Sequence, residues 1–463
     1  MSVNLKKHQQ NAKKVLLSEN NNGLLVFHGL GSGKTLTSIA AASNLNVQTL
    51  VIVPASLVNN YKKEIVKYGA NSKMFTIVSF EKSAKMNLNL NNKVLVVDEA
   101  HRLRNPGRDD ARNIIENSKS ALKIILLTGT PFVNRPSDIA PLMNIIARQK
   151  ILPTNVQDFK SMFVKEIVTV VKVPYKMFGV TLYENAKYIK TLGIHNKQLF
   201  IEKLKNRVSF FENTDKNNYP STSVHYKPVE MTHLQSKLHK KIEEENLSKA
   251  EIKMLKKNYA IDTNDPESKG SAKRVNAYLS ATRKISNIVD GTPSQKVLNI
   301  LQSVIEAPKP VVVYSNFINH GVKMFQSLLD ENNITNRLFT GSVSQKEKKQ
   351  IVEDYNNRKF DVLCLSRSGS EGLDLKRTRQ VHIMEPYWNN SQLDQVIGRA
   401  VRFKSHFNME NNKKHVDIFH WYCVYRKSFY GNALSSDEYL VNMSKHKQNL
   451  IDQFVDAVKD ASV

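Results

Sequence analysis

The chain has 463 residues, 41% hydrophobic and 24% charged, which is the balance of a globular protein with two or three domains. Lys and Arg number 68 against 42 Asp and Glu, and the net charge of +26 indicates either a polyanionic partner or a strongly solvated surface. No apolar run approaches the ~20 residues of a membrane-spanning helix, and the N-terminus resembles no signal peptide, so we expect an intracellular protein without a membrane segment. Two cysteines, Cys364 and Cys423, are too few for a disulfide framework or a four-cysteine zinc site, and their apolar neighbours favour core positions.

The first third of the chain repeats a short apolar run, a polar or Gly-rich turn and a helix-like stretch, which predicts a parallel α/β lobe. The predicted strands are 24–27, 50–53, 75–78, 94–97 and 124–127, and a second set lies at 311–314, 336–339, 362–365, 381–384 and 416–419. Between the sets, residues 148–291 are lysine-rich and helix-like, with an exposed loop at 262–270. We predict two lobes, 1–212 and 213–463, the second with a helical insertion at about 230–290 and a helix over 436–463.

A phosphate-binding loop is predicted between the first strand and the helix-like segment that follows it. Residues 28–35 read His-Gly-Leu-Gly-Ser-Gly-Lys-Thr, a Walker A sequence in the expected strand-loop-helix context. Its glycines allow backbone amides to curl around phosphates, Lys34 can reach the β- and γ-phosphates, and Thr35 can ligate Mg²⁺. The candidate nucleotide-binding residues here are Gly29, Gly31, Ser32, Gly33, Lys34 and Thr35. The strict pattern has Gly where His28 stands, so a chance Gly-rich turn is the alternative interpretation.

Two adjacent acids follow another predicted strand. Asp98 and Glu99 would lie at the carboxyl edge of a parallel sheet, where bound phosphates also lie. Asp98 could hold Mg²⁺ through water, and Glu99 could orient and deprotonate an attacking water molecule. Helix capping is the alternative role for such a pair if the motif stood alone.

The sequence around these acids resembles a known enzyme family. Residues 98–105, Asp-Glu-Ala-His-Arg-Leu-Arg-Asn, resemble the hydrolysis motif of Swi/Snf-type ATPases of helicase superfamily 2, and further motifs follow in family order. Gln9 resembles the adenine-reading glutamine, 53–61 resembles the DNA-contacting motif Ia with Tyr61 as its aromatic residue, and 127–134 resembles the motif that couples hydrolysis to lobe movement. The resemblance implies coupling roles for His101, Thr128, Gly129 and Thr130.

The second half of the chain carries the remaining motifs. Residues 339–342 resemble a family turn, 366–375 resemble motif V, and 388–402 resemble motif VI. The resemblance implies that Arg399 and Arg402 face ATP across the cleft between the lobes, with Gln395 as a coupling residue. An arginine in that role contributes ~10³ or more in rate. Taken alone, a Gly-Arg pair is more often found on a helix surface.

The family resemblance implies two tandem RecA-like lobes with ATP and Mg²⁺ as cofactors, and translocation on DNA, with duplex DNA favoured and RNA as an alternative. Residues 208–212 with 219–221, 402–406 and 436–440 resemble the transcription-linked nucleoside triphosphatases of poxviruses and other large DNA viruses. That branch implies a viral RNA polymerase or capping enzyme as partner, and a location in the host cytoplasm, virus factory or virion; a cellular member would be nuclear. Residues 403–405, Phe-Lys-Ser, replace the Ile-Gly-Gln of cellular relatives, which argues against a chromatin remodeller.

Three functions remain open at the level of the sequence. Besides a translocating ATPase, the motifs allow a strand-separating superfamily 2 helicase acting on DNA or RNA, and a catalytically silent nucleotide-binding scaffold. Basic groups near aromatic residues are candidate nucleic-acid contacts, although each one is equally compatible with a solvated helix face. These groups are 61–63, 237–241, 253–259, 273–274 and 283–284.

Overall fold

The computed structural model describes residues 4–29, 31–177, 180–212, 218–256, 269–367, 373–387, 390–427 and 433–463. The chain folds into two compact units, and most residue contacts are formed within one unit or the other. The first comprises Met1–Asn213 and His446–Val463, and the second comprises Thr214–Lys445. None of the helices in these described ranges has both the length and the apolar character needed to cross a bilayer.

The first unit is built on a parallel sheet of six strands in the order β3-β2-β4-β5-β1-β8. Its strands are β1 (Gly23–His28), β2 (Thr49–Val53), β3 (Phe75–Ser79), β4 (Val94–Asp98), β5 (Lys123–Thr128) and β8 (Val208–Phe211). Its helices are α1 (Lys7–Leu17), α2 (Lys34–Leu45), α3 (Val58–Tyr68), α4 (Phe80–Ser83), α5 (Asp109–Ser118), α6 (Ile139–Ala147), α7 (Val156–Phe163) and α8 (Lys197–Leu204).

The four central strands of this sheet, β2, β4, β5 and β1, are buried along their whole length. Continuous apolar runs are what a parallel sheet covered on both faces requires, because neither face alternates with solvent. The register pairs Asp98 with Leu127, and Phe27 with Thr128. The carboxyl ends of β1, β4 and β5 therefore meet at one edge of the sheet.

The second unit contains another parallel six-stranded sheet, in the order β13-β14-β12-β15-β16-β9. Its strands are β9 (Ser221–Glu230), β12 (Val311–Ser315), β13 (Asn336–Phe339), β14 (Val362–Ser366), β15 (Gln380–Ile383) and β16 (His415–Val424), with a small separate pair β10 (Ile288–Val289) and β11 (Thr292–Pro293). Its helices are α9 (His233–Asn246), α10 (Lys249–Lys256), α11 (Lys269–Asn287), α12 (Gln295–Glu306), α13 (Met324–Glu331), α14 (Gln345–Asn356) and α15 (Asn390–Ala400). The predicted α/β class, both sets of strands and the buried positions of Cys364 and Cys423 are confirmed.

The helix-like interpretation of 148–291 is wrong for part of that interval. A long antiparallel hairpin, β6 (Val164–Met177) and β7 (Val180–Ile194), lies outside the six-stranded sheets, and β8 and β9 follow it. Ile167 to Val171 form an unbroken run of β-branched residues, which favours a strand over a helix despite the surrounding lysines. The helical prediction holds for α9, α10 and α11.

The last helix, α16 (Ser436–Ala461), confirms the predicted C-terminal helix, and its final part packs with the first unit. Phe454 is buried against three other rings of that unit, those of Phe132, Phe159 and Phe200. Gln453 Oε1 also accepts a hydrogen bond from the backbone N–H of Ile194 at 3.0 Å. The lobe predicted as 213–463 therefore differs from the second unit over 446–463, because these apolar side chains complete the core of the first unit.

Candidate active site

The predicted phosphate-binding loop joins β1 to α2, and of its residues only Leu30 lies outside the described ranges. Gly31 and Gly33 have φ values of 70° and 81°, in the left-handed region that glycine adopts without strain. Ser32 Oγ donates a hydrogen bond to the carbonyl of Gly29 at 2.7 Å, and the N–H of Gly29 donates to the carbonyl of Phe211 at 2.8 Å. The loop is therefore held by its own turn and by the edge strand β8.

Lys34 and Thr35 form the start of α2, directly after the glycines. The Lys34 ammonium donates hydrogen bonds to the carbonyls of His28 and Gly29, at 2.9 and 3.2 Å. The positive charge consequently lies over the loop at the N-terminus of a helix, where backbone N–H groups and the helix dipole favour anions.

Gln9, predicted to read adenine, is packed against the phosphate-binding loop. It is only 2% exposed, and its Nε2 donates to the carbonyls of Ser32 and Gly33 at 3.2 and 3.3 Å. Its Oε1 accepts from the backbone N–H of Lys6 at 2.8 Å. Gln9 thus holds the loop through its Nε2, while its Oε1 caps the start of its own helix α1. Its contact with a nucleobase stays a prediction.

A cluster of three rings beneath the loop was not predicted. The His8 ring stacks on Phe211 with centroids 3.6 Å apart, and the His28 ring meets His8 edge-on at 5.1 Å. His28 Nε2 is 2.9 Å from Ser209 Oγ, and His8 Nε2 donates to the carbonyl of Ser32 at 3.0 Å. Burial, with smaller effects of His8 and Lys34, lowers the pKa of His28 to about 3, so this ring is neutral near pH 7. His28, which departs from the strict loop pattern, is therefore an uncharged support that joins β1 to β8.

The predicted metal ligand Asp98 ends β4 and is buried. Burial, reinforced by the neighbouring charge of Glu99 and opposed by that of Lys34, raises the pKa of Asp98 to about 6. Asp98 Oδ1 accepts the N–H of Glu99 at 2.9 Å. The structure thus brings the predicted acids within electrostatic range of the predicted phosphate-binding lysine. An additional cation at this edge would relieve the cost of a buried carboxylate beside a second acid.

Glu99 contacts the residues predicted to couple hydrolysis to movement. It has a φ of 52° and precedes a short 3-10 turn, Ala100–Arg104, that turns the chain back towards β5. His101 Nδ1 lies 3.3 Å from Glu99 Oε2 and 3.4 Å from Thr128 Oγ1. Thr128 Oγ1 also accepts the N–H of Thr130 at 3.0 Å, around Gly129. The predicted base and the predicted coupling loop are therefore joined through one imidazole ring.

Asp138 is a supporting residue that the sequence analysis missed. Its Oδ2 accepts three backbone N–H groups that continue the coupling loop, those of Val133, Asn134 and Arg135, at 3.1, 2.6 and 3.2 Å. These bonds fix the exit of the loop into α6. Its position two residues after Pro136, at a helix start, was the available signal, because acids there commonly accept backbone hydrogen bonds.

The remaining predicted site residues belong to the second unit. Gln395 and Arg399 lie on α15, and Arg402 follows its end. Arg402 Nη1 lies 3.5 Å from Asp374 Oδ1 and donates to the carbonyl of Leu373 at 3.3 Å. Residues 368–372 of motif V and 388–389 of motif VI lie outside the described ranges.

Two of the predicted nucleic-acid contacts are corrected. Tyr61 is 1% exposed and bonded through its hydroxyl to Ser38 Oγ at 2.8 Å, so its ring packs in the core and is unable to stack on a base. Arg283 is 3% exposed and lies 5.5 Å from the ring centroids of both Phe317 and Tyr387. The neighbouring lysines are exposed: Lys62, Lys63, Lys237, Lys241, Lys253, Lys273 and Lys284. Residues 257–259 of one cluster lie outside the described ranges.

Gly33→Ala is predicted to weaken nucleotide binding. A Cβ at this position would lie 2.4 Å from Gln9 Nε2, so the amide must leave the loop and give up two hydrogen bonds of ~1 kcal/mol each. We expect at least about a tenfold loss of affinity, measured by titration with a fluorescent ATP analogue.

Gly69→Ala is the matched control, because Gly69 has a φ of 75° and no atom within 4 Å of the added Cβ. Both variants should lose about 1 to 2 kcal/mol of folding free energy through the left-handed conformation. Equal nucleotide affinity in the two variants would show that the Gln9 contact is irrelevant to binding.

Two family profiles match this chain. The profile of the SNF2-related domain matches residues 8–95 and 75–290, and that of the helicase conserved C-terminal domain matches 295–404. Together they span both units and include all of the predicted site residues.

Similar curated proteins come from large DNA viruses. "Putative ATP-dependent RNA helicase L538" of Acanthamoeba polyphaga mimivirus is 34% identical over 475 residues, covering 100% of this chain and 98% of its own length. "Termination factor NPH-I homolog" of African swine fever virus (isolate Pig/Kenya/KEN-50/1950) is 25% identical, covering 96% of this chain and 76% of its own length. "Nucleoside triphosphatase I" of Heliothis armigera entomopoxvirus is 24% identical, covering 100% and 79%.

A solved structure, the "Sulfolobus solfataricus SWI2/SNF2 ATPase core in complex with dsDNA", aligns over 97% of both chains with a TM-score of 0.38 and 18% identity. The two profiles and the mimivirus relative decide the assignment by their coverage. The chain belongs to the SNF2-related family of helicase-type ATPases, as its motifs predicted.

Proposed function

We propose that this chain hydrolyses ATP at the edge formed by β1, β4 and β5 and uses the energy to move along duplex DNA. The observation that carries the proposal is the connection from Glu99 through His101 to Thr128. The proposed base and the proposed coupling loop are joined through the His101 ring, so a change of charge at Glu99 on hydrolysis can alter the position of the loop.

Binding of the nucleotide falls to the loop and the first turn of α2. The glycine-rich backbone and Lys34 hold the phosphates, and Gln9 keeps the loop in shape while contacting the base. Thr35 and Asp98 would hold Mg²⁺, which when bound neutralises charge on the phosphates. The raised pKa of Asp98 fits this role, since a buried acid beside Glu99 is stabilised by a nearby cation.

Glu99 is proposed as the base that orients and deprotonates the attacking water. Its carboxylate lies next to a histidine that can share a proton or a hydrogen bond, and next to the buried Asp98. A change of charge at Glu99 is proposed to alter the position of the loop that Asp138 anchors. The coupling residues in this proposal are His101, Thr128, Gly129 and Thr130.

Arg399 and Arg402 are proposed to stabilise charge on the transferring phosphoryl group, with Gln395 as a coupling residue on the same helix. These arginines come from the second unit, so turnover would require the two units to act on one nucleotide. Alternate closing and opening would then shift the grip on the DNA backbone with each cycle.

Duplex DNA is the proposed substrate track, with RNA as an alternative. The net charge of +26 and the exposed lysines of α9, α10 and α11 suit sequence-independent contacts with phosphates. The viral relatives, one of them named a termination factor, support a role in viral transcription inside the host cell. The RNA polymerase or the capping machinery of the virus is the proposed partner.

Glu99→Gln is predicted to abolish turnover while leaving ATP binding intact, because the amide has a similar shape but accepts no proton. ATP affinity and phosphate release should be measured on the same preparation, with the exposed Glu116→Gln as the matched control. Turnover near that of the control would exclude Glu99 as the base.

ATPase activity is predicted to rise sharply with blunt duplex DNA and to fall between about 50 and 200 mM salt, because phosphate contacts release counterions. Parallel assays with single-stranded DNA and RNA identify the preferred track. No stimulation by any of the three would contradict the motor and favour a silent scaffold. Displacement of a strand from a forked duplex would favour a strand-separating helicase.

A further inference from the structure

The segment after motif VI carries an exposed ring beside a lysine in the second unit. Phe407 is 60% exposed, which makes it among the most exposed large apolar side chains of the described residues. The Lys404 ammonium lies 5.2 Å from the Phe407 ring centroid and 5.4 Å from that of Phe403. Tyr219 meets Phe403 at 5.9 Å. We refer to Tyr219, Phe403, Lys404 and Phe407 as the Phe-Lys surface.

This surface is held in place by buried hydrogen bonds. His406 is buried, with Nε2 donating to the carbonyl of Thr378 at 2.7 Å and Nδ1 2.8 Å from Ser405 Oγ. The N–H of Lys404 donates to the carbonyl of Asn218 at 2.7 Å, and the N–H of Arg377 donates to the carbonyl of Ser405 at 3.0 Å. Phe407 is thus displayed on a fixed backbone, which lowers the entropy lost when it binds a partner.

Lys404 occupies a backbone conformation in which a side chain has a cost. Its φ is 58°, where an L-residue loses about 1 to 2 kcal/mol that glycine would not lose. The Lys404 ammonium makes cation-π contacts with the two adjacent rings. Exposed contacts of that kind each stabilise the fold by only about 0.5 to 1 kcal/mol. The side chain therefore adds little or nothing to folding at this position, which points to a use outside the fold.

The charge around the surface is mainly positive. Lys376 is exposed. The next residue, Arg377, is the one whose backbone N–H donates to the carbonyl of Ser405. The nearby acids have cations of their own: Asp374 lies 3.5 Å from Arg402, and Glu410 lies 2.9 Å from Lys413. A ligand for this surface should combine negative charge with flat faces that can stack on Phe407.

We propose that the Phe-Lys surface binds single-stranded nucleic acid, with a base stacked on Phe407 and a backbone phosphate held by Lys404. Single strands offer both features at once, whereas a duplex covers the faces of its bases except at its ends. An acidic protein segment would satisfy the lysine but leave the exposed ring without a matching partner. The surface is formed by residues other than the lysines of α9, α10 and α11 that are proposed to contact the duplex, and its use of single strands goes beyond the proposed translocation.

The test is binding of a fluorescent oligo(dT) of about 20 nucleotides to the full chain without nucleotide, near 0.2 M salt, where purely ionic binding is weakened. Phe407→Ala should weaken binding about fivefold or more, the lower end of the contribution of one stacked base. An abasic oligonucleotide of the same length should bind the wild type and Phe407→Ala equally. Lys404→Gly, which retains the backbone conformation, should weaken binding of both oligonucleotides.

Leu298→Ala and Lys349→Ala serve as matched controls, since both side chains are exposed in the same unit and neither belongs to this surface. Both should bind oligo(dT) as the wild type does. Unchanged oligo(dT) affinity in both Phe407→Ala and Lys404→Gly would overturn the proposal. A surface that binds a protein instead of nucleic acid would give this result. Equal losses on oligo(dT) and abasic oligonucleotide in Phe407→Ala would overturn the stacked base. Duplex-stimulated ATPase activity is read separately, so failure of the motor and failure of this surface remain distinguishable.

Discussion

The first unit is organised around two adjacent carboxylates at the end of one buried strand. Burial and the charge of Glu99 raise the pKa of Asp98 to about 6, and Lys34 opposes that shift. Above that pH the ionised Asp98 costs folding free energy, because its pKa exceeds the value of 3.8 that it has in the unfolded chain. Lys34 reduces this cost, and the proposed Mg²⁺ would reduce it further when bound. Keeping positive charge at this edge is therefore the constraint that the rest of the site serves.

The support for Lys34 comes from parts of the chain that are far apart in sequence. The lysine bonds to carbonyls of the loop, Gln9 of α1 bonds to the loop from one side, and the edge strand β8 supports it from another. On the other side of the acids, His101 joins Glu99 to Thr128 and the loop anchored by Asp138. The charged groups proposed to take part in the chemistry are thus joined by direct contacts to the proposed coupling loop.

Local sequence patterns predicted the strands, the phosphate-binding loop and the position of both acids, because each depends on a short run of residues. The hairpin at 164–194 was missed since lysines masked its β-branched run. His8 and Phe211, which stack, are separated in sequence by most of the first unit, and Phe159 and Phe454, which pack together, are separated by the whole of the second unit. No local pattern reveals such pairs. Tyr61 and Arg283 show the converse error, because a motif gives the residue type but not its burial.

The most direct test of the account is to compare Arg399→Ala with the exposed Arg337→Ala in ATP binding and in turnover stimulated by duplex DNA. The central proposal is that Arg399 stabilises charge on the phosphoryl group that is transferred during ATP hydrolysis. The account predicts unchanged ATP affinity in both variants and a loss of ~10³ in turnover for Arg399→Ala alone. Turnover of Arg399→Ala equal to that of Arg337→Ala would contradict it.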